Sequence, residues 1–116
     1  MNRPPYSLDG CLAWYRAARQ QADTVVTEAR AGVEALQQQS AALLAEIHAC
    51  GHGGLLVQAS ARRFVAERWQ ALLQCRSRLA GAEARLAAAT VAAADAYRWQ
   101  RRFELHRERF LAQAQR

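Results

Sequence analysis

Three residues near the middle of the chain, His48, Cys50 and His52, have the types and spacing of a metal-binding cluster. Two imidazoles and a thiol are zinc ligands when three or four such groups converge with a supporting second shell. Here two of them would leave the last turn of a helix and the third would sit in a glycine-rich connection. Cys75 lies far along the next segment. The ordinary reading, small and polar residues closing a helix end, is preferred, and no metal is expected. Nor is there a catalytic constellation. The sequence holds no G-x-S-x-G, no phosphate-cradling glycine loop and no H-E-x-x-H. Its acids are scattered singly, without a cleft to perturb them. We expect no catalytic, cofactor-binding or metal-binding residues, no small-molecule substrate and no enzyme activity.

Recognition chemistry is better represented. The C-terminal stretch from Tyr97 to Arg116 reads YRWQRRFELHRERFLAQAQR. Arg98, Arg101, Arg102, Arg107 and Arg109 crowd around Phe103 and Phe110, with Glu104 and Glu108 interleaved. An apolar edge flanked by guanidinium groups suits docking onto another protein, because arginine pairs bidentately with carboxylates and aromatics anchor interfaces. The bland alternative is a tail that packs on the N-terminus or on a second copy. Three tryptophans add to this. Trp69 and Trp99 flank an apolar seam, while Trp14 falls where solvent is expected. The partner-binding candidates are therefore Trp14, Arg98, Trp99, Arg101, Arg102, Phe103, Arg107 and Phe110.

The elements that carry these residues follow from periodicity. Both prolines, Pro4 and Pro5, lie in the first few residues, so nothing after them breaks a helix by proline chemistry. Residues 1–7 read as a flexible tail, with Ser7 or Asp9 as N-cap. From Leu8 to Cys50 apolar residues recur with a seven-residue period. The a sites are Leu12, Arg19, Val26, Val33, Ser40 and Ile47; the d sites are Leu8, Tyr15, Ala22, Ala29, Leu36, Leu43 and Cys50. After a turn over 51–59 that contains Gly51, Gly53 and Gly54, a second helix is expected over 60–116, with Ser60 as cap. Its a sites are Val65, Leu72, Leu79, Leu86, Ala93, Gln100, Arg107 and Ala114. Its d sites are Ala61, Arg68, Cys75, Ala82, Ala89, Ala96, Phe103 and Phe110. Gly32 and Gly81 weaken their helices and could mark bends.

Two such seams joined by a short turn define an all-α, long antiparallel two-helix coiled-coil hairpin with a longer second helix. At about 1.5 Å per residue the arms are roughly 65 Å and 85 Å long. The second arm is the longer, so its C-terminal end is expected to project past the start of the first. The overhang is expected over about Tyr97 to Arg116, leaving Phe103 and Phe110 without first-helix partners.

Composition and charge agree with an interaction protein. Of 116 residues, 52% are hydrophobic, but much of that is alanine, which buries little surface. The net charge is +6, carried by 16 arginines with no lysine. Nearly all the excess lies beyond residue 61, which suits an acidic protein surface, nucleic acid or an anionic membrane. Arginines interspersed with acids, and the lack of a reader motif, argue against nucleic acid. No signal peptide is apparent, and the alanine-rich run Leu86–Ala94 is too short to span a bilayer. Three cysteines, Cys11, Cys50 and Cys75, fit small seam residues in a reducing cytoplasm better than a disulfide framework.

The segments Phe64-Val65-Ala66-Glu67-Arg68-Trp69-Gln70-Ala71-Leu72 and Ala96-Tyr97-Arg98-Trp99-Gln100-Arg101-Arg102, set in two antiparallel helices with a short turn, resemble the FliJ/YscO family. Those proteins are central stalks of flagellar and virulence-associated type III secretion systems. The resemblance implies a cytoplasmic protein, peripheral at the inner-membrane secretion apparatus, that enters the pore of the hexameric export ATPase and touches the export-gate cytoplasmic domain. Secretion chaperones are possible further partners. A secretion chaperone, a self-associating coiled-coil adaptor and, less favoured, a basic helical nucleic-acid binder are the alternatives. Small secreted hairpins with a W-x-G turn fit poorly, since the turn here lacks tryptophan.

Overall fold

The computed structural model describes residues 7–50 and 59–115. The expected tail over residues 1–6 and the glycine turn, with His52, lie outside the described residues. The fold is an all-α helical hairpin of two helices, α1 over Leu8–Cys50 and α2 over Ala59–Ala114. At the start of α1 the Gly10 amide donates to Ser7 Oγ at 3.1 Å, and Cys11 N donates to Ser7 O at 2.9 Å. Ser7 is therefore the cap, and Asp9 is a first-turn acid favoured by the helix dipole. Ser60 lies inside α2 and does not cap it. Both Gly32 and Gly81 sit within unbroken helix.

All thirteen a and d sites of α1 are buried or half-buried. In α2 the same holds from Ala61 to Arg107, and only Phe110 and Ala114 are exposed. The seven-residue period thus survives along both helices.

The chain divides into two compact units, residues 1–28 with 87–116, and residues 29–86. In the second unit the core is Leu43, Ile47, Leu72 and Cys75, with Leu36, Leu44, Val65 and Ala71 packed against it. Leu72 is completely buried. The Cys75 thiol donates to the Leu36 carbonyl at 3.4 Å, a polar tie between the helices. Arg68, a charged residue at a seam site, is accommodated by its surroundings. Its guanidinium lies 4.6 Å from the Phe64 ring centre, and its Nε is 2.9 Å from Glu46 Oε2. That approach is an ion pair by distance, although Nε is not aligned as a hydrogen-bond donor.

In the first unit the seam is thinner, because Ala22, Ala89, Ala93 and Ala96 supply it with methyl groups alone. Leu12 is buried and aromatic rings do the remaining filling. Tyr15 packs on Phe103 with ring centres 5.3 Å apart, and Trp14 meets Tyr15 edge-on at 5.0 Å. The Arg19 guanidinium sits 4.5 Å from the Tyr97 ring centre. Arg107 forks onto Asp9, with Nη2 at 2.7 Å and Nε at 3.2 Å from the same oxygen.

These contacts correct the overhang expected from Tyr97. Tyr97, Phe103 and Arg107 all have partners on α1, so pairing within this unit reaches Arg107. Only Glu108 to Gln115 is exposed without a break. The reason lies in alignment. The expectation drew the overhang from the difference in helix length alone, whereas Tyr15 meets Phe103 and Asp9 meets Arg107, which sets the first turns of α1 beside residues 103–107 of α2.

Candidate functional site

One side of the first unit is apolar and the other is charged. In the heptad, Ala18 of α1 and Ala92, Trp99 and His106 of α2 occupy g sites. In an antiparallel pair the two g rows share a side. The e rows, with Asp9, Arg16 and Asp23 facing Thr90, Tyr97 and Glu104, form the other. Arg107–Asp9, Arg19–Tyr97 and the attraction of Arg16 for Glu104 all fall on or beside that charged side.

The apolar side carries an open groove of about 540 Å³ lined by Trp14, Tyr15, Ala18, Ala92, Asp95, Ala96 and Trp99. Three of its seven lining residues are alanines, flanked by Trp14 from α1 and Trp99 from α2. A second hollow of about 240 Å³ adjoins it, lined by Tyr15, Trp99, Arg102, Phe103 and His106. Tyr15 and Trp99 belong to both. Trp99 is 54% exposed, a large apolar side chain standing in solvent.

The charges around the groove are partly committed. Arg98 Nη1 is 3.2 Å from Asp95 Oδ1, and Arg101 Nη1 is 3.3 Å from Glu104 Oε2. Arg102 lies with its guanidinium carbon 5.1 Å from the Trp99 ring centre, which holds both side chains at the groove edge. Gln100 is buried in the seam and donates through Nε2 to Glu104 Oε1 at 2.7 Å. Its own Oε1 is buried with no partner among the described residues. The hydrogen bond from Gln100, followed by Arg101 and the charge of Arg16, holds the Glu104 carboxyl below the usual glutamate value despite some desolvation. Exposed ion pairs such as Arg98–Asp95 contribute about 0–1 kcal/mol, so a partner's carboxylate can displace the internal one at small cost.

Of the residues singled out from the sequence, Trp14, Trp99, Arg102 and Phe103 line the two hollows, and Arg98 is tied to the first through Asp95. Trp14 is half-buried against Tyr15 instead of facing solvent, because the unit needs its ring to extend a seam built of alanine. Arg107 is turned to Asp9 on the charged side. Arg101 is paired with Glu104. Phe110 stands apart, 52% exposed near the end of α2. Sequence reasoning missed Tyr15, Ala18, Ala92, Ala96 and His106 as groove residues. For Ala18 and Ala92 the available signal was a small residue at a g site, where charge is usual in a two-helix coil.

Among the described residues no three His, Cys, Asp or Glu side chains are grouped to hold a metal ion. No helix of the described residues is long and apolar enough to cross a membrane. The fold and this surface define a helical hairpin with a tryptophan-walled groove. Comparison with known proteins gives no match to a family model, a curated protein or a solved structure.

Proposed function

We propose that the chain is a non-enzymatic interaction protein, a coiled-coil hairpin whose first unit docks a partner protein. The observation that carries this reading is the exposed Trp99 with Arg102 against it, at the edge of an apolar groove that α1 and α2 build together. Exposed tryptophan and arginine are the side chains most often found to dominate binding energy at interfaces.

In its specific form the proposal is a stalk or escort of a type III secretion or flagellar export apparatus. It would act at the cytoplasmic face and contact the hexameric export ATPase and the export-gate cytoplasmic domain. Its support is the resemblance of Phe64–Leu72 and Ala96–Arg102 to the FliJ/YscO pattern, together with a hairpin fold. The test is capture of tagged protein from its native cell extract at moderate salt, with nuclease treatment, read by mass spectrometry. Recovery of an export ATPase or gate component supports the specific reading. Recovery of the protein alone, or of partners lost on nuclease treatment, overturns it.

A further inference from the structure

We infer that the groove on the apolar side of the first unit is the seat of an acidic amphipathic helix from another protein. This deepens the interaction reading proposed above and rests on it. Three observations point to a helix. The two hollows run on from one another through Tyr15 and Trp99. From Ala92 to His106 they follow about 20 Å of α2 at about 1.5 Å per residue, the length of roughly four helical turns. The first hollow is lined by Ala18, Ala92 and Ala96 between Trp14 and Trp99, and the second continues it with Phe103 and His106, so a third cylinder can lie along the groove with its apolar residues against these side chains.

The charge of the rim selects the occupant. Asp95 is the acid among the lining residues, and it is already neutralised by Arg98. Arg102 has no carboxylate within ion-pair distance among the described residues; it rests on the Trp99 ring. Carboxylates at the flanks of an incoming helix would meet Arg102 directly and Arg98 by exchange with Asp95. A second copy of this chain would bring the same arginines and the same tryptophans to the rim, opposing like charge to like charge. Nucleic acid fits less well, since the lining is mostly alanine and aromatic carbon and no continuous row of cations runs along it to track a phosphate backbone.

The experiment places the photo-crosslinking residue p-benzoylphenylalanine in the full chain at Val91, 62% exposed beside Ala92, and separately at Leu73, 61% exposed in the other unit. After irradiation in the native cell, the attached segment is sequenced by mass spectrometry. The expected product at Val91, and not at Leu73, is a segment of negative net charge with apolar residues at i, i+3, i+4 and i+7. A synthetic peptide of that segment should shift the emission of Trp14 and Trp99 in a Trp69→Phe background. Arg102→Glu together with Arg98→Glu should weaken its binding at least tenfold. The charge-conserving Arg102→Lys should weaken it much less.

Crosslinking at Val91 to a second copy, to nucleic acid or to a basic segment overturns the inference. So does a captured peptide that the double arginine variant binds as well as wild type. A partner recovered equally by wild type and by Trp99→Ala, with no product at Val91, overturns the groove while leaving the interaction reading intact. No partner by either route sinks both.

Discussion

Arg107 and Asp9 are joined at 2.7 Å although 98 positions separate them in the chain. The guanidinium is two-thirds covered while the carboxylate is largely exposed, so the pair closes the end of the seam at a water-facing edge. It also marks where α2 parts from α1 in the first unit. A paired end of this kind is a measurable element of stability.

Asp9→Asn and Arg107→Gln should each destabilise the protein by less than about 1 kcal/mol, because the pair is exposed and screened. A double-mutant cycle in chemical denaturation should give a coupling near 0.5 kcal/mol that shrinks at high salt. A coupling unaffected by salt would mean the contact is packing and not charge.

Phe103 and Phe110 share the d position but not the same surroundings. Phe103→Ala removes the ring packed on Tyr15 and should cost roughly 2 kcal/mol. Phe110→Ala should change stability by less than about 0.5 kcal/mol. Thermal unfolding by circular dichroism distinguishes them; equal losses would contradict the exposed placement of Phe110.

Leu72 and Leu73 make a similar contrast in the second unit. Leu72→Ala, at a fully buried site between Leu43, Ile47 and Cys75, should cost about 3 kcal/mol. Leu73→Ala removes a mostly exposed side chain and should be nearly neutral. If both alanines unfold the protein alike, Leu73 is covered in solution.

Gly32 and Gly81 each sit in helix with room for a methyl group. A Cβ at Gly32 meets nothing within 4 Å, and at Gly81 only the flexible Arg85 guanidinium at 3.8 Å. Gly32→Ala and Gly81→Ala should each stabilise by about 1 kcal/mol, adding to the denaturation midpoint independently. A loss at either site would show that glycine is needed there for a close approach.

Glu104 supplies a pH dependence. Its folded-state value lies below the ordinary 4.5, so its contribution is fully present above that value and is lost as pH falls through the lower folded one. Gln100→Leu removes the main stabilising hydrogen bond and should raise the Glu104 value, read by NMR titration of its side-chain carboxyl carbon. The same change removes a buried oxygen that has no partner, so it should leave stability unchanged or improved. An unshifted Glu104 in that variant would assign the depression to Arg101 and Arg16 instead.

Much of this fold was legible in the sequence because a helix announces itself locally. The spacing of Leu12, Val33, Leu43 and Ile47, and of Leu72, Cys75 and Ala82, is set by one helical period and needs no knowledge of the partner helix. All seven are buried. The start of α1 at Leu8 and its end at Cys50 follow from Ser7 and from the glycines after Cys50, again neighbours in sequence.

The alignment of α2 on α1 was not legible. A slip by one heptad keeps every apolar seam residue facing the seam, so periodicity alone cannot choose between alignments. The tertiary structure chose the one in which the charged seam residues find partners: Arg68 with Glu46, Arg19 with Tyr97, and Arg107 with Asp9. That choice turned Phe103 from a free docking residue into a wall against Tyr15. It also brought Trp14 and Trp99 to one groove, since they come from opposite ends of the chain and meet only through the pairing. The sequence by itself determined two amphipathic helices and their buried stripes, because those depend on spacing along one chain segment. The site depended on which residues of two segments lie side by side, and the energies of the ring packing and polar contacts across the seam decide that.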